Sequence, residues 1–276
     1  MSAATQTDRA VGTDVVTHRA GYARAVRSEW IKARSVRSTW ILVLVALAAF
    51  VLIPLLSASG GTVTVPEGTT GSALGMGTLY SGSIFVLILV AVLAALFTTS
   101  EFTTGMARNT FTATPARGAV LAAKSTIAAL FALGIALVGA VAAWLATQGT
   151  LADAGMSIDL ADPTTLKVLG VELLTYVVIA VLSVALGVLM RSSVGTIFTI
   201  VAMQLIAPGI LLAVNNSIAN WVGRVLPSVA GEAATAAQGP GPGEIGLSPA
   251  GGLLVLLAWA VLPYLAALWV LRSRDV

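Results

Sequence analysis

The chain has 276 residues, of which 57% are hydrophobic and only 10% are charged, and its formal net charge is +3. A soluble domain carries about 25% charged residues, so this composition excludes a soluble protein and indicates one that lies in a membrane. The sequence contains no cysteine and a single histidine, His18, which excludes disulfides, thiolate or multi-histidine metal sites and Ser-His-Asp catalysis.

The residues before the first apolar run fall into two parts. Residues 1–19 contain no apolar core, so we expect a disordered cytoplasmic N-terminus without a cleavable signal peptide. Residues 20–39 predict an amphipathic helix along the inner membrane surface, because aromatic and aliphatic side chains share one arc and basic side chains lie opposite. Glu29 interrupts the apolar arc but lies within reach of Lys32, three residues on. The helix either only fixes the topology or also contacts a cytoplasmic partner.

Six stretches with few charges are long enough, or nearly so, to cross a bilayer, for which a helix needs about 20 apolar residues. We predict spans at about 40–56, 79–98, 124–146, 168–190, 194–214 and 252–271. The predicted fold is therefore all-α, a polytopic membrane protein whose six-helix membrane domain occupies residues 40–276. The charge-free part of the fourth span falls just short of the bilayer thickness, so Glu172 is expected at the outer headgroup layer and Arg191 at the inner one.

The distribution of basic residues predicts the orientation. With six spans both termini lie on one side, and placing them in the cytoplasm puts thirteen of the 15 lysines and arginines inside. Only Lys167 and Arg224 remain outside, as the positive-inside rule requires. We therefore expect a multi-pass protein of the bacterial plasma membrane with both termini cytoplasmic.

Between the second and third spans the chain carries a polar cytoplasmic segment, "SEFTTGMARNTFTATPARGAVLAAK" at 100–124. Pro115 ends any helix before it, and threonines and Gly105 weaken helix formation. The segment is either a solvated loop that satisfies the positive-inside rule or a short helix parallel to the membrane that receives force from a soluble partner.

Within the spans, ionisable residues that could relay protons or sodium are lacking, which argues against an ion-coupled transporter. Gln204 lies in the middle of the fifth span and is followed by Pro208–Gly209, where we expect a kink in the helix. We interpret Gln204 as a helix-packing hydrogen bond, and Gln204 and Glu172 are the candidate residues of a translocation path. Small residues recur every four positions in the third span, and they favour close helix contact within the subunit or, alternatively, a dimer seam: Ala128, Ala132, Ala136 and Ala140.

The order of "SEWIKARSVRSTW" (28–40), a span, and a second span ending in the polar segment 100–124 resembles the permease subunits of bacterial type-2 ABC exporters. The resemblance extends from about residue 20 to the C-terminus. It implies an N-terminal elbow helix, a coupling helix between spans two and three, and short re-entrant helices in the outer segment 215–251. It assigns three residues to the elbow, Glu29, Trp30 and Lys32. It assigns coupling to an ATPase to Glu101, Gly105, Arg108, Pro115 and Arg117, with Lys124 in the same segment.

The resemblance implies a permease that forms the translocation path of an ATP-driven exporter. Two copies, or one copy and a related permease, would form that path, and each would dock one cytoplasmic ABC ATP-binding subunit. The chain itself is expected not to be an enzyme. Its nearest match to a phosphate-binding loop, "GAVLAAKS" at 118–125, has Ala123 in place of the second glycine and opens a membrane helix. ATP and Mg²⁺ are therefore expected on the partner subunit, and this chain is expected to bind no cofactor, metal or nucleic acid.

Three other classes of protein stay open at this point. The main alternative is an ATP-independent six-span transporter or channel. An intramembrane enzyme would need a nucleophile, metal ligands or paired aspartates at membrane depth, whereas the aspartates here all lie in loops or tails. A membrane scaffold is the third. The aliphatic and small residues of the spans fit drugs, lipids or hydrophobic peptides equally well as cargo.

Overall fold

The computed structural model describes residues 21–59, 70–106, 116–214, 216–236, 238–240 and 246–273. The predicted disordered segment 1–19 lies outside these ranges, as do Arg108 and Pro115. The described residues form helices and no strand. In chain order the helices are α1 (Tyr22–Ser35), α2 (Arg37–Ser59), α3 (Gly71–Leu79), α4 (Ser83–Thr103), α5 (Arg117–Asp153), α6 (Pro163–Met190), α7 (Ser193–Val201), a π-helical turn (Ala202–Ile206), α8 (Ala207–Val214), α9 (Ser217–Arg224), α10 (Pro227–Thr235) and α11 (Pro249–Ser273).

Among the described residues, six helical stretches are long and apolar enough to cross a membrane. They are Arg37–Ser59, Gly71–Thr103, Arg117–Asp153, Pro163–Met190, Ser193–Leu211 and Pro249–Ser273. The all-α fold with six spans is therefore confirmed. Several helices extend beyond the predicted apolar runs, and α5, with 37 residues, is about 55 Å long at 1.5 Å per residue.

The fourth span begins earlier than its apolar run because its first turn is capped. The Asp162 side chain accepts a hydrogen bond from the backbone N–H of Thr164 at 3.0 Å, and Pro163 occupies the first turn. Both features favour helix initiation. Glu172 therefore lies more than two turns inside α6, on a partly buried face, and not at the end of the helix.

Helix α6 is the centre of the bundle and packs against α4, α5 and α11. Its side chains Tyr176 and Ile179 have no exposed surface. The four regularly spaced alanines of α5 are all buried inside the chain, which confirms the interpretation as contact within the subunit. First-span helix α2 lies against α5 and buries Phe50 beside Tyr176, with ring centroids 5.8 Å apart.

The fifth span is irregular where the sequence predicts a kink. Pro208 lacks the N–H that would bond to the carbonyl of Gln204 in an α-helix. The π-helical turn Ala202–Ile206 lies directly before Pro208, and such turns are frequent at functional sites. After α8 the chain folds into two short helices, α9 and α10, before α11 begins. Helix α10 packs against both α11 and α6.

Candidate functional site

Four charged side chains meet where α1 packs beside the end of α4 and the start of α5. Glu29 and Lys32 come from α1, Glu101 from the last turn of α4, and Lys124 from the second turn of α5. We call these four residues the charge cluster. The segment between α4 and α5, which we call the coupling segment (residues 104–116), starts and ends beside it.

The charges alternate around the cluster. Lys32 Nζ donates to Glu29 Oε1 at 2.8 Å and to Glu101 Oε1 at 2.7 Å. Lys124 Nζ donates to Glu29 Oε2 at 2.9 Å and lies 2.8 Å from Glu101 Oε1. Each lysine therefore contacts both glutamates, and the four formal charges cancel.

Three members of the cluster are buried. Relative side-chain exposure is 4% for Lys124 and 8% for each glutamate, whereas that of Lys32 is 36%. Lys124 also donates to the backbone carbonyl of Phe97 at 3.1 Å. Charges that leave water need partners of opposite sign and hydrogen bonds, and the cluster supplies both. Loss of any one member would leave a buried charge without compensation.

Lys32 responds to two opposing influences. Partial burial on its own would lower the pKa of the Lys32 ammonium, but the hydrogen bonds to Glu101 and Glu29 raise that pKa above its ordinary value. Lys32 therefore stays protonated at every physiological pH.

Aromatic side chains hold α1 in place next to the cluster. Phe131 of α5 lies between the rings of Trp30 and Phe97, with centroids 5.6 and 5.5 Å apart. Trp40 of α2 contacts the same ring at 6.3 Å and donates from Nε1 to the backbone carbonyl of Arg34. These contacts join α1 to the first three spans, so the elbow cannot move without displacing them.

The five predicted coupling residues have different surroundings. Glu101 belongs to the charge cluster. Gly105 follows α4 with a φ of +72°, a left-handed conformation that favours glycine. Arg117 opens α5 and donates from Nη1 to the carbonyl of Leu271 at 2.7 Å, which links the third span to the end of the last. Arg108 and Pro115 lie outside the described residues.

A second polar site lies at the opposite end of the bundle. We call it the outer cavity, after the side of the membrane on which the predicted topology places it. It has a volume of about 600 Å³ and is bounded by α4, the π-helical turn, α8, α9 and α10. Gln204 and Arg224 line it, together with Ser228 and Glu232. Glu172, the other predicted path residue, does not line this cavity. It lies instead near the buried hydroxyl of Tyr176.

The interpretation of Gln204 as a helix-packing hydrogen bond is wrong. Its side chain is only 3% exposed, yet neither amide atom has a hydrogen-bond partner among the described residues. The π-helical turn places this amide at the wall of the outer cavity. Sequence reasoning also missed Arg224 and Ser228 as site residues, although Arg224 stood out as one of only two outer cations.

The sequence places Lys124 near the cluster only through family resemblance. Neither periodicity nor spacing connects Lys124 with Glu29, which is 95 residues away. The apolar flanks of Lys124 in a predicted span are the one available signal, since a lysine in such a position needs a partner.

Residues 25–207 match a family model described as ABC-2 family transporter protein. The match covers about two thirds of the 276 residues and includes the whole charge cluster and Gln204. It ends before α9, α10 and the last span. No curated protein matches the chain.

Proposed function

Because the chain belongs to the ABC-2 family of transporter proteins, we propose that it is the permease subunit of an ATP-driven exporter, powered by a separate cytoplasmic ATP-binding subunit. As a member of this family with six membrane-spanning helices, it is a multi-pass membrane protein and a permease component of an ABC transporter. ATP and Mg²⁺ would be bound by the partner subunit. The basic side of the chain, with both termini, would face the cytoplasm of a bacterial cell.

The charge cluster is the observation that carries this proposal. It connects the elbow helix to the two span ends from which the coupling segment emerges. A partner that presses on this segment would therefore act on α1, α4 and α5 together. Buried ion pairs resist separation because each partner would be left uncompensated, so the displacement would be passed on and not absorbed locally.

A conformational change in the spans would follow from that displacement. Helices α4 and α5 both pack against α6, the central helix. A shift at the cluster would therefore reach the centre of the bundle and alter the path that this subunit forms with a second permease, either another copy or a related chain. Packed helices change between discrete arrangements, which is what alternating access requires.

Lys124 has a structural role that argues against nucleotide binding by this chain. It is the lysine of the phosphate-loop-like stretch at 118–125, but its ammonium group is held by Glu29, Glu101 and the Phe97 carbonyl. A lysine in this environment is not available for a triphosphate. This supports the assignment of ATP to a separate subunit.

Co-expression with the ABC ATP-binding subunit encoded beside this chain tests the proposal. We expect the two proteins to co-purify and, in proteoliposomes, to carry out cargo-dependent ATP hydrolysis. Arg108→Glu in the coupling segment should weaken assembly or uncouple hydrolysis from transport, whereas Arg272→Glu, at the inner end of α11, should not. Unchanged assembly and transport in Arg108→Glu would remove the role assigned to that residue. Transport by the isolated chain would instead establish the ATP-independent alternative.

A further inference from the structure

The outer cavity brings together polar atoms that lack partners. Gln204 on the π-helical turn, Arg224 at the end of α9 and Ser228 in the first turn of α10 all line it. Among the described residues, both amide atoms of Gln204, Nη1 of Arg224 and Oγ of Ser228 have no hydrogen-bond partner although they are buried. Native proteins leave few buried polar atoms unpaired, so three such side chains around one cavity indicate a ligand.

The chemistry of these atoms defines the head group of that ligand. Arg224 Nη1 and Gln204 Nε2 can only donate hydrogen bonds, and Ser228 Oγ can donate one. One of the three side chains is a cation, Arg224, and among the described residues it forms no ion pair with an acidic side chain. Glu232 also lines the cavity, so Arg224 and Glu232 bring one charge of each sign to its wall. Among the buried atoms of this cavity that lack a partner, however, donors outnumber acceptors and the charged group is the Arg224 guanidinium, which suits an anionic group rich in oxygen.

The apolar part of the cavity wall indicates the chemistry of the rest of the ligand. Ile84, Leu211 and Val229 line the cavity with apolar surface. The volume of about 600 Å³ falls in the range of small-molecule sites. An apolar wall beside a cluster of donors fits a molecule with a hydrocarbon body and a charged head.

We propose that the outer cavity binds the anionic head group of an amphiphile, with Arg224 and Gln204 as its main donors and Ser228 as a third. The evidence for this binding site is its own geometry. Only the further idea that the amphiphile is exported cargo rests on the proposed function. Two sources share this chemistry, a lipid of the bilayer and a diffusible single-chain amphiphile.

The chain carries its own reporter for this site. The ring of Trp221 lies 5.5 Å from the Arg224 guanidinium, so a ligand that contacts Arg224 changes the surroundings of Trp221. The purified full chain in phosphatidylcholine nanodiscs is titrated with dodecyl phosphate that carries bromine on its chain, since bromine quenches tryptophan on contact. The Trp221 signal is the difference between the wild type and Trp221→Phe.

We expect saturable quenching by dodecyl phosphate and much weaker quenching by the same brominated chain with a trimethylammonium head. Arg224→Gln and Gln204→Leu should each weaken binding of the phosphate amphiphile by about tenfold or more, because each removes a hydrogen bond to a charged group. Arg224→Lys should retain part of the affinity. Gln148→Leu makes the same substitution at an exposed position of α5 and should bind as the wild type does, as should Lys167→Gln, which removes the other outer cation.

Equal quenching by the phosphate and trimethylammonium amphiphiles, or equal affinity in Arg224→Gln and wild type, would overturn the proposal. The melting temperature of each variant is compared with that of the wild type, so that a binding defect can be distinguished from misfolding. If phosphatidylglycerol added to the nanodisc competes with dodecyl phosphate, the ligand is a lipid of the bilayer. If phosphatidylglycerol does not compete, the ligand is a diffusible amphiphile. The binding assay contains no ATPase, so a failure here leaves the proposed permease function intact. Conversely, the proposal that the outer cavity binds an amphiphile would remain valid even if no ATP-binding subunit assembled with the chain.

Discussion

The side chains of Lys124 and Glu29 meet at 2.9 Å inside the protein, although 95 residues separate them along the chain. The contact joins the third span to the elbow helix. Through Lys32 and Glu101 the same cluster reaches the end of the second span. Helix α1 is thus joined by ion pairs to the end of α4 and the start of α5.

Replacement of Lys124 by methionine should destabilise the protein strongly. Methionine keeps an apolar chain of similar length but removes the most buried cation of the cluster, which leaves two carboxylates to share Lys32. Breaking a buried pair in this way costs about 3–5 kcal/mol. Thermal unfolding of the detergent-solubilised chain measures the loss. Lys167→Met, at an exposed position where the ammonium group donates to the Ala236 carbonyl at 2.8 Å, is the matched control and should lower the free energy of unfolding by no more than about 1 kcal/mol. Equal stability of the Lys124→Met variant and the wild type would contradict the role of the cluster.

A double variant can separate stability from coupling. Glu101→Gln alone leaves two lysines with one carboxylate and should lower the melting temperature. Adding Lys32→Met restores neutrality around the remaining pair of Glu29 and Lys124, so most of the stability should return. The ionic link between the elbow and the second span stays broken in the double variant. We therefore expect cargo-dependent ATP hydrolysis by the complex with the ATP-binding subunit to remain impaired.

Melting temperature and cargo-dependent ATP hydrolysis are compared across the wild type, the single variant and the double variant. The comparison decides whether the cluster takes part in coupling or only stabilises the fold. If the double variant recovers both, the cluster only stabilises the fold. If Glu101→Gln melts as the wild type does, Glu101 is not held in the buried pairs described above.

Stability should fall at alkaline pH in a way that depends on Lys32. Its pKa in the folded protein is raised above the ordinary value by Glu101 and Glu29, which outweigh the effect of burial. The resulting stabilisation is fully present below the unfolded-state pKa of about 10.4 and is lost as the pH rises through the folded-state pKa. Melting temperatures between pH 8 and 12 should therefore decrease more steeply for the wild type than for Lys32→Met.

Lys32→Arg provides the control for this titration, since a guanidinium group does not deprotonate in this range. Its alkaline decrease should be shallower than that of the wild type. Parallel curves for all three proteins would show that Lys32 does not titrate with the cluster, in which Glu29, Glu101 and Lys124 are the charged groups around it.

Two glycines of the same helix should respond in opposite ways to alanine. A Cβ atom on Gly139 would lie 2.6 Å from Cδ2 of Phe50, whose ring is packed beside Tyr80 and Tyr176. Gly139→Ala should therefore cost about 1–3 kcal/mol through overpacking. A Cβ on Gly134 meets nothing within 4 Å, so Gly134→Ala should stabilise α5 by up to about 1 kcal/mol through helix propensity. Chemical or thermal unfolding of the two variants side by side measures the difference, and a Gly139→Ala protein as stable as Gly134→Ala would refute the close packing of α2 on α5.

Local features of the chain were predictable because they depend on neighbouring residues. Apolar runs of sufficient length predicted six spans, and the structure confirms that number within the residues it describes. The pair of Glu29 and Lys32 was predictable from a spacing of three residues on one helix, and the two side chains meet at 2.8 Å. The start of α6 was placed too late, because an apolar-run criterion does not register the cap formed by Asp162.

The charge cluster and the outer cavity could be identified only from the tertiary structure. The contacts of Lys124 with Glu29 and of Lys32 with Glu101 join residues 95 and 69 positions apart, and no periodicity encodes such distances. Gln204 was assigned a packing hydrogen bond because a buried amide ordinarily finds one. Only the π-helical turn and the positions of α9 and α10 decide that it faces a cavity beside Arg224.

By itself, the sequence determined that this chain is a helical membrane protein and which end of each span carries positive charge, because hydrocarbon excludes unpaired backbone groups and charges whatever the fold. Which charge neutralises which, and which polar group is left to bind a ligand, was decided by how the helices pack. Ion pairs and hydrogen bonds act over a few ångströms, and only the folded bundle brings residues from different spans within that distance.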